Sequence, residues 1–131
     1  MLENNKCILI YGFNEEEMAL IHNIKDTEQL PEIKVITASM TSMTLRNIID
    51  GIKLEVIGKP LPEEKVIIFN NLSDDELDRT IKNIRSNQQI RPILAVVTPT
   101  SIDWTFGDLL EHLMEEREFF RNKGKRGTQG E

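Results

Sequence analysis

Residues 65–77 read Lys-Val-Ile-Ile-Phe-Asn-Asn-Leu-Ser-Asp-Asp-Glu-Leu. Val66–Phe69 is a continuous apolar run, too short for a helix, and such a run reads as a strand buried on both faces. Asn70 and Asn71 close it. Ser73 followed by Glu76 has capping-box spacing, in which each side chain takes up a backbone amide of the other and the acidic first turn suits the positive end of a helix. A helix over 74–86 follows, with Leu77, Ile81 and Ile84 turned inward.

The same script stands near the start of the chain. Cys7-Ile-Leu-Ile-Tyr11 is a short apolar run ended by Gly12, and Asn14 with Glu17 repeats the capping spacing. This predicts a helix over 15–25 that buries Met18, Ile21 and either Ile24 or His22. Shifted by 59 residues, Lys6-Cys-Ile-Leu-Ile falls on Lys65-Val-Ile-Ile-Phe, and Asn14–Met18 falls on Ser73–Leu77. Further along the shift becomes 61, carrying Pro31, Val35, Thr37 and Thr44 onto Pro92, Val96, Thr98 and Thr105.

Between these landmarks lie β-branched runs at 33–38 and 92–98, which read as strands, and helical spacing at 43–53 (Leu45, Ile48, Ile49, Ile52) and at 104–121. In the last helix Phe106, Leu109, Leu110, Leu113 and Phe120 form one stripe. Residues 54–64, with two prolines and a glycine, form the main connection, and 122–131 reads as a disordered polar tail. The expected fold is therefore α/β: a single domain over 1–121, four strands in order 2-1-3-4 in a mostly parallel sheet, and four helices. The halves 6–53 and 65–121 read either as a duplicated βαβα unit or as two units sharing apolar patterning. Whether they meet in parallel or antiparallel fashion stays open at this level.

The chain has 131 residues, enough for one core, with 39% hydrophobic and 29% charged residues. Sixteen basic against 22 acidic side chains leave a net charge of −6. Such a balance disfavours a sequence-independent grip on nucleic acid or anionic lipid. A lone cysteine excludes an internal disulfide. The first residues have the form of neither a signal nor a transit peptide, which makes the cytoplasm the expected compartment.

In an open parallel sheet, ligands gather beyond the carboxyl ends of the strands, which selects Gly12–Asn14, Ser39–Ser42, Asn70–Ser73 and Thr98–Asp103. No glycine-rich dinucleotide fingerprint or phosphate loop stands there, and the strand ends lack the acidic set of a phosphoacceptor. His22 and His112, both within helices, and Cys7, within a strand, have no metal-ligand spacing, so neither a metal nor a cofactor is expected. Candidate ligand contacts are Thr98, Thr100, Ser101 and Trp104, with Thr37 and Ser39 at the other strand end. Hydroxyls and amides at a helix start can hold an anion. The alternative is structural: Thr100, Ser101 or Asp103 caps the helix and Trp104 packs against the sheet end. No base accompanies these hydroxyls in sequence, so an enzyme is not expected.

Phe69-Asn-Asn-Leu-Ser-Asp-Asp-Glu-Leu-Asp78, Leu94-Ala-Val-Val-Thr-Pro99, Trp104 and Leu109-Leu-Glu-His-Leu-Met-Glu-Glu116 resemble a small bacterial family named domain of unknown function 3783. That family's pattern carries a Thr-Pro turn, an Asn, a Trp and a Leu-Glu-rich helix. Here Ser101 or Ile102 stands where the Asn would be. The resemblance spans 65–118 and implies a bacterial cytosolic protein without an established activity. Adjacent Phe119 and Phe120 cannot both face one core, so the expected function is a non-enzymatic interaction or regulatory domain that binds a protein partner or its own copy. A small-ligand or anion sensor at Thr98–Trp104 is the alternative. The basic group Arg117, Arg121, Lys123, Lys125 and Arg126 equally reads as charge suited to a helix C-terminus, and nucleic-acid binding is not expected.

Overall fold

A computed structural model describes residues 6–52, 63–87 and 90–129, with side chains as far as Arg121. Four strands, β1 (Cys7–Tyr11), β2 (Glu32–Val35), β3 (Val66–Asn70) and β4 (Ile93–Val96), form one sheet in the order β2-β1-β3-β4. Helices α1 (Glu15–Glu28), α2 (Leu45–Ile49), α3 (Asp74–Ser86) and α4 (Phe106–Gln129) alternate with them. β1 and β3 alternate between two cores. Cys7, Leu9, Val66 and Ile68 pack with Leu45, Ile49, Phe106 and Leu110 of α2 and α4. Ile8, Ile10, Ile67 and Phe69 pack on the opposite face with Ile21 and Ile24 of α1 and Ile84 of α3. Covering both faces is what makes the central strands continuously apolar.

β1 pairs in parallel with β2, and β3 with β4, but the central pair β1–β3 is antiparallel. This resolves the orientation left open by the sequence. The halves meet by an approximate two-fold: Leu9 lies opposite Ile68, its own counterpart under the shift of 59. Thr44 likewise forms an antiparallel bridge with its counterpart Thr105. Around that bridge the Leu45 amide donates to the Trp104 carbonyl, and the Phe106 amide donates to the Met43 carbonyl, each at 3.0 Å. Ion pairs are exchanged between halves in the same way. Lys6 reaches Glu76 at 3.0 Å and Lys65 reaches Glu17.

Both capping boxes are present. The Glu17 amide donates to Asn14 Oδ1 at 2.8 Å, and the Glu76 amide donates to Ser73 Oγ at 3.2 Å. α1 runs three residues past the expected end because Gln29 takes up the left-handed conformation and closes the helix. α2 is shorter than 43–53: Thr44 caps its start, and Gly51 turns the chain at φ 76°. Ile52, expected inward, is exposed. The connection expected over 54–64 falls mostly outside the described residues.

α4 departs from the expected helix in three ways. Its cap is Thr105, whose hydroxyl accepts from the Asp108 amide at 3.1 Å, and not Thr100, Ser101 or Asp103, because residues 101–103 are taken up in a separate 3-10 turn. Phe120, placed in the inward stripe, is 62% exposed. A helix of 24 residues is about 36 Å long, while strands of four or five residues span about 17 Å, so α4 outruns the sheet it covers. It also continues to Gln129, past the point where the sequence suggested a disordered tail.

Candidate functional site

The antiparallel centre separates the predicted ligand residues. The carboxyl ends of β1 and β2 lie at one end of the sheet, and those of β3 and β4 lie at the other. Thr98, Thr100, Ser101 and Trp104 therefore gather after β4, while Thr37 and Ser39 follow β2 at the opposite edge and end. No single rim of strand ends can unite them.

Each cluster is also occupied with itself. The Thr98 amide donates to Ser101 Oγ at 2.9 Å, the Ser101 amide donates to Thr98 Oγ1 at 2.9 Å, and the two hydroxyls lie 3.1 Å apart. This reciprocal box holds the exit turn of β4 in place. Thr100 is exposed. Trp104 is half-buried against the α2/α4 core and meets the His112 ring edge-on, with centroids 5.3 Å apart. His112 in turn lies 3.1 Å from Glu116 on the helix surface. Thr37 Oγ1 and Ser39 Oγ lie 3.0 Å apart in an exposed turn. His22 is exposed, and Cys7 is buried inside β1, where burial raises its thiol pKa and keeps it protonated. Among the described residues no group of three or more His, Cys, Asp or Glu could hold a metal ion.

A cleft of about 590 Å³ opens at the end of the sheet where β1 finishes and β3 begins, walled by Tyr11, Gly12, Glu17, Glu64, Lys65 and Arg91. The sequence pointed to Gly12, and to Glu17 as a capping residue, but not to Glu64, Lys65 or Arg91 as lining a site, because these precede their strands and reach this end only through the antiparallel junction. Most of the charge is already committed. Arg117 holds Glu64 with two bonds, at 2.9 and 2.6 Å, and Lys65 holds Glu17. The cleft is thus a set of closed ion pairs fastening α1, α4 and the start of β3, rather than a field of one sign awaiting a ligand.

These pairs make stability depend on acid. The Asn14 amide and then Lys65 hold Glu17 below the usual carboxylate range, Arg117 does so for Glu64, and the Ser73 amide followed by Lys6 does so for Glu76. A carboxyl whose pKa is lower folded than unfolded stabilises the fold fully above its unfolded value of about 4.3 and loses that contribution as pH falls through the folded value. The urea midpoint should therefore hold from about pH 7 to 5 and drop as pH falls below about 4.3, with a shallower drop in Glu64→Gln. A midpoint equally high at pH 3 would refute this.

The matching family adds a boundary to this geometry. Residues 65–120 match the Domain of unknown function (DUF3783). The DUF3783 segment begins one residue before β3 and ends within α4, so it is one βαβα half of the molecule, close to the span 65–118 expected from sequence. Within it lie the Thr98–Ser101 box, Trp104, Arg117, Phe119 and Phe120. No curated protein and no solved structure matches the chain.

Proposed function

We propose that the protein is a non-enzymatic protein-interaction domain whose contact element is the stretch of α4 around Phe119 and Phe120. The carrying observation is their exposure. The two rings are 61% and 62% exposed and pack against each other edge-on, 5.5 Å between centroids. Two adjacent exposed aromatic side chains on one helix are the kind of apolar anchor a protein partner covers. The self-satisfied hydroxyls of Thr98 and Ser101 and the surface position of both histidines support a reading without catalysis. They also weigh against the anion-sensor alternative, since an anion would have to displace bonds the turn already makes. A bacterial, cytoplasmic setting belongs to the same reading. No helix among the described residues is long and apolar enough to cross a membrane.

The test separates binding from folding. Phe119→Ser/Phe120→Ser removes exposed side chains, so the unfolding free energy should change by no more than about 0.5 kcal/mol. Chemical cross-linking of the full-length protein in cells, followed by identification of adducts, should lose its main protein adduct in this variant. An unchanged adduct, or a variant that unfolds, would sink the proposal.

We also read residues 6–53 as a second, diverged copy of the DUF3783 unit. Its support is the matching strand register, the paired caps and the exchanged lysine–glutamate pairs, which shared apolar patterning alone would not produce.

A further inference from the structure

β4 ends the sheet, and no strand among the described residues pairs with its outer edge. The Ile93 amide donates to the Lys65 carbonyl at 2.8 Å and the Val97 amide donates to the Phe69 carbonyl at 2.9 Å. Backbone groups alternate along a strand, so those of Leu94 and Val96 face outward. The opposite edge, β2, is differently built. Its outward residues, Ile33 and Val35, are apolar like their counterparts Leu94 and Val96, but at the alternate positions, where β4 has Ile93 and Ala95, it carries Glu32 and Lys34, and Lys34 Nζ turns in to donate to the Ile49 carbonyl at 2.6 Å. Charges and inward lysines are how edge strands resist pairing. β4, Ile-Leu-Ala-Val, has neither.

Two further features lie beside this edge. Val96 is 48% exposed, and by alternation it points to the same face as Leu94, which packs on the α1/α3 side. On that face Ile84, Ile90, Pro92 and Leu94 line a groove of about 440 Å³, with Arg85 and Arg91 at its rim.

We propose that β4 pairs antiparallel with β4 of a second copy of this chain, with Leu94 opposite Val96 of the second copy. The register closes on itself. The outward residues 94 and 96 exchange hydrogen bonds with 96 and 94, Ala95 faces Ala95 across the two-fold, and Pro92, lacking an amide proton, ends the ladder. Each Val96 then sits over the other copy's Leu94 at the mouth of the apolar groove, where directly opposed side chains touch. A foreign strand would satisfy the backbone but has no reason to present an apolar side chain at that one position, whereas a second copy does so by symmetry. The junction repeats the antiparallel, counterpart-to-counterpart pairing of β1 with β3 and yields one eight-stranded sheet.

Sedimentation of the full-length protein at tens of micromolar should give a dimer. Val96→Lys, which keeps an exposed position exposed in the monomer, should weaken it roughly tenfold or more, while Val35→Lys on the β2 edge leaves it unchanged. In the proposed pairing Ala95 faces its copy in a non-hydrogen-bonded pair, with Cα atoms about 4.5 Å apart, within disulfide reach. Ala95→Cys should therefore form an intermolecular disulfide under mild oxidation. Buried Cys7 does not compete. A wild-type monomer, a dimer insensitive to Val96→Lys, or failure of Ala95→Cys to cross-link would each overturn the proposal. A dimer abolished by Phe119→Ser/Phe120→Ser but not by Val96→Lys would assign self-association to α4 instead, so the two surfaces fail separately.

Discussion

Gly12→Ala is expected to destabilise the protein by about 3–5 kcal/mol, a large part of the ~5–15 kcal/mol that holds a domain of this size together. Gly12 sits at φ +90°, and a Cβ there would lie 1.9 Å from the Glu64 carbonyl oxygen. That oxygen is backbone, held by the start of β3 beside the end of β1. Relief requires prising the central strands apart. Gly51→Ala provides the control: φ is +76° there too, but nothing lies within 4 Å of the new Cβ, so only the conformational cost of about 1 kcal/mol is expected. Urea unfolding of the two variants side by side reads the close approach as their difference. Equal losses would refute the assignment.

Phe106→Ala should cost about 3–5 kcal/mol. The side chain is fully buried, its ring lies 4.9 Å from that of Tyr11, and its amide holds the Met43 carbonyl. Substitution opens a cavity where the starts of α2 and α4 meet, leaving the surrounding side chains only partly able to close in. Because neighbouring Trp104 packs against the same core, its fluorescence should shift to the red as well. A loss under about 1 kcal/mol, measured by urea unfolding, would show that the junction does not depend on this ring.

Much of the architecture was legible from local pattern. The β3 run and the Ser73–Glu76 box marked a strand and a helix at 74–86 without tertiary information, because a capping box is satisfied within four residues. Alternating elements pointed to the pairs β1–β2 and β3–β4 within each half; the order 2-1-3-4, which joins them through β1 and β3, was a choice that local pattern did not dictate, and the sheet has it. Strand ends were less sharp. Ile36 and Val97 read as strand residues by β-branched content, yet β2 stops at Val35 and β4 at Val96.

The candidate sites were legible only in part. Phe119-Phe120 stood out because adjacent residues on a helix point about 100° apart, and α4 proved to leave both of them exposed. Thr98–Ser101 was recognisable as a hydroxyl-rich turn, but its sequence does not say whether the hydroxyls bond each other or a ligand. The walls of the charged cleft, Glu64, Lys65 and Arg91, carried no signal at all. They precede strands, where ligand residues of parallel sheets are not sought.

From its sequence alone this chain was bound to form four buried or half-buried strands and the helices between them, since caps, apolar runs and breakers act over a few residues. How the two halves face each other is a matter of contacts between residues some 60 positions apart, and it was settled only on folding. With Leu9 set against Ile68 and Thr44 against Thr105, the chosen arrangement is antiparallel. That one choice put Thr37 and Thr98 at opposite corners and brought Lys65 to Glu17 and Lys6 to Glu76.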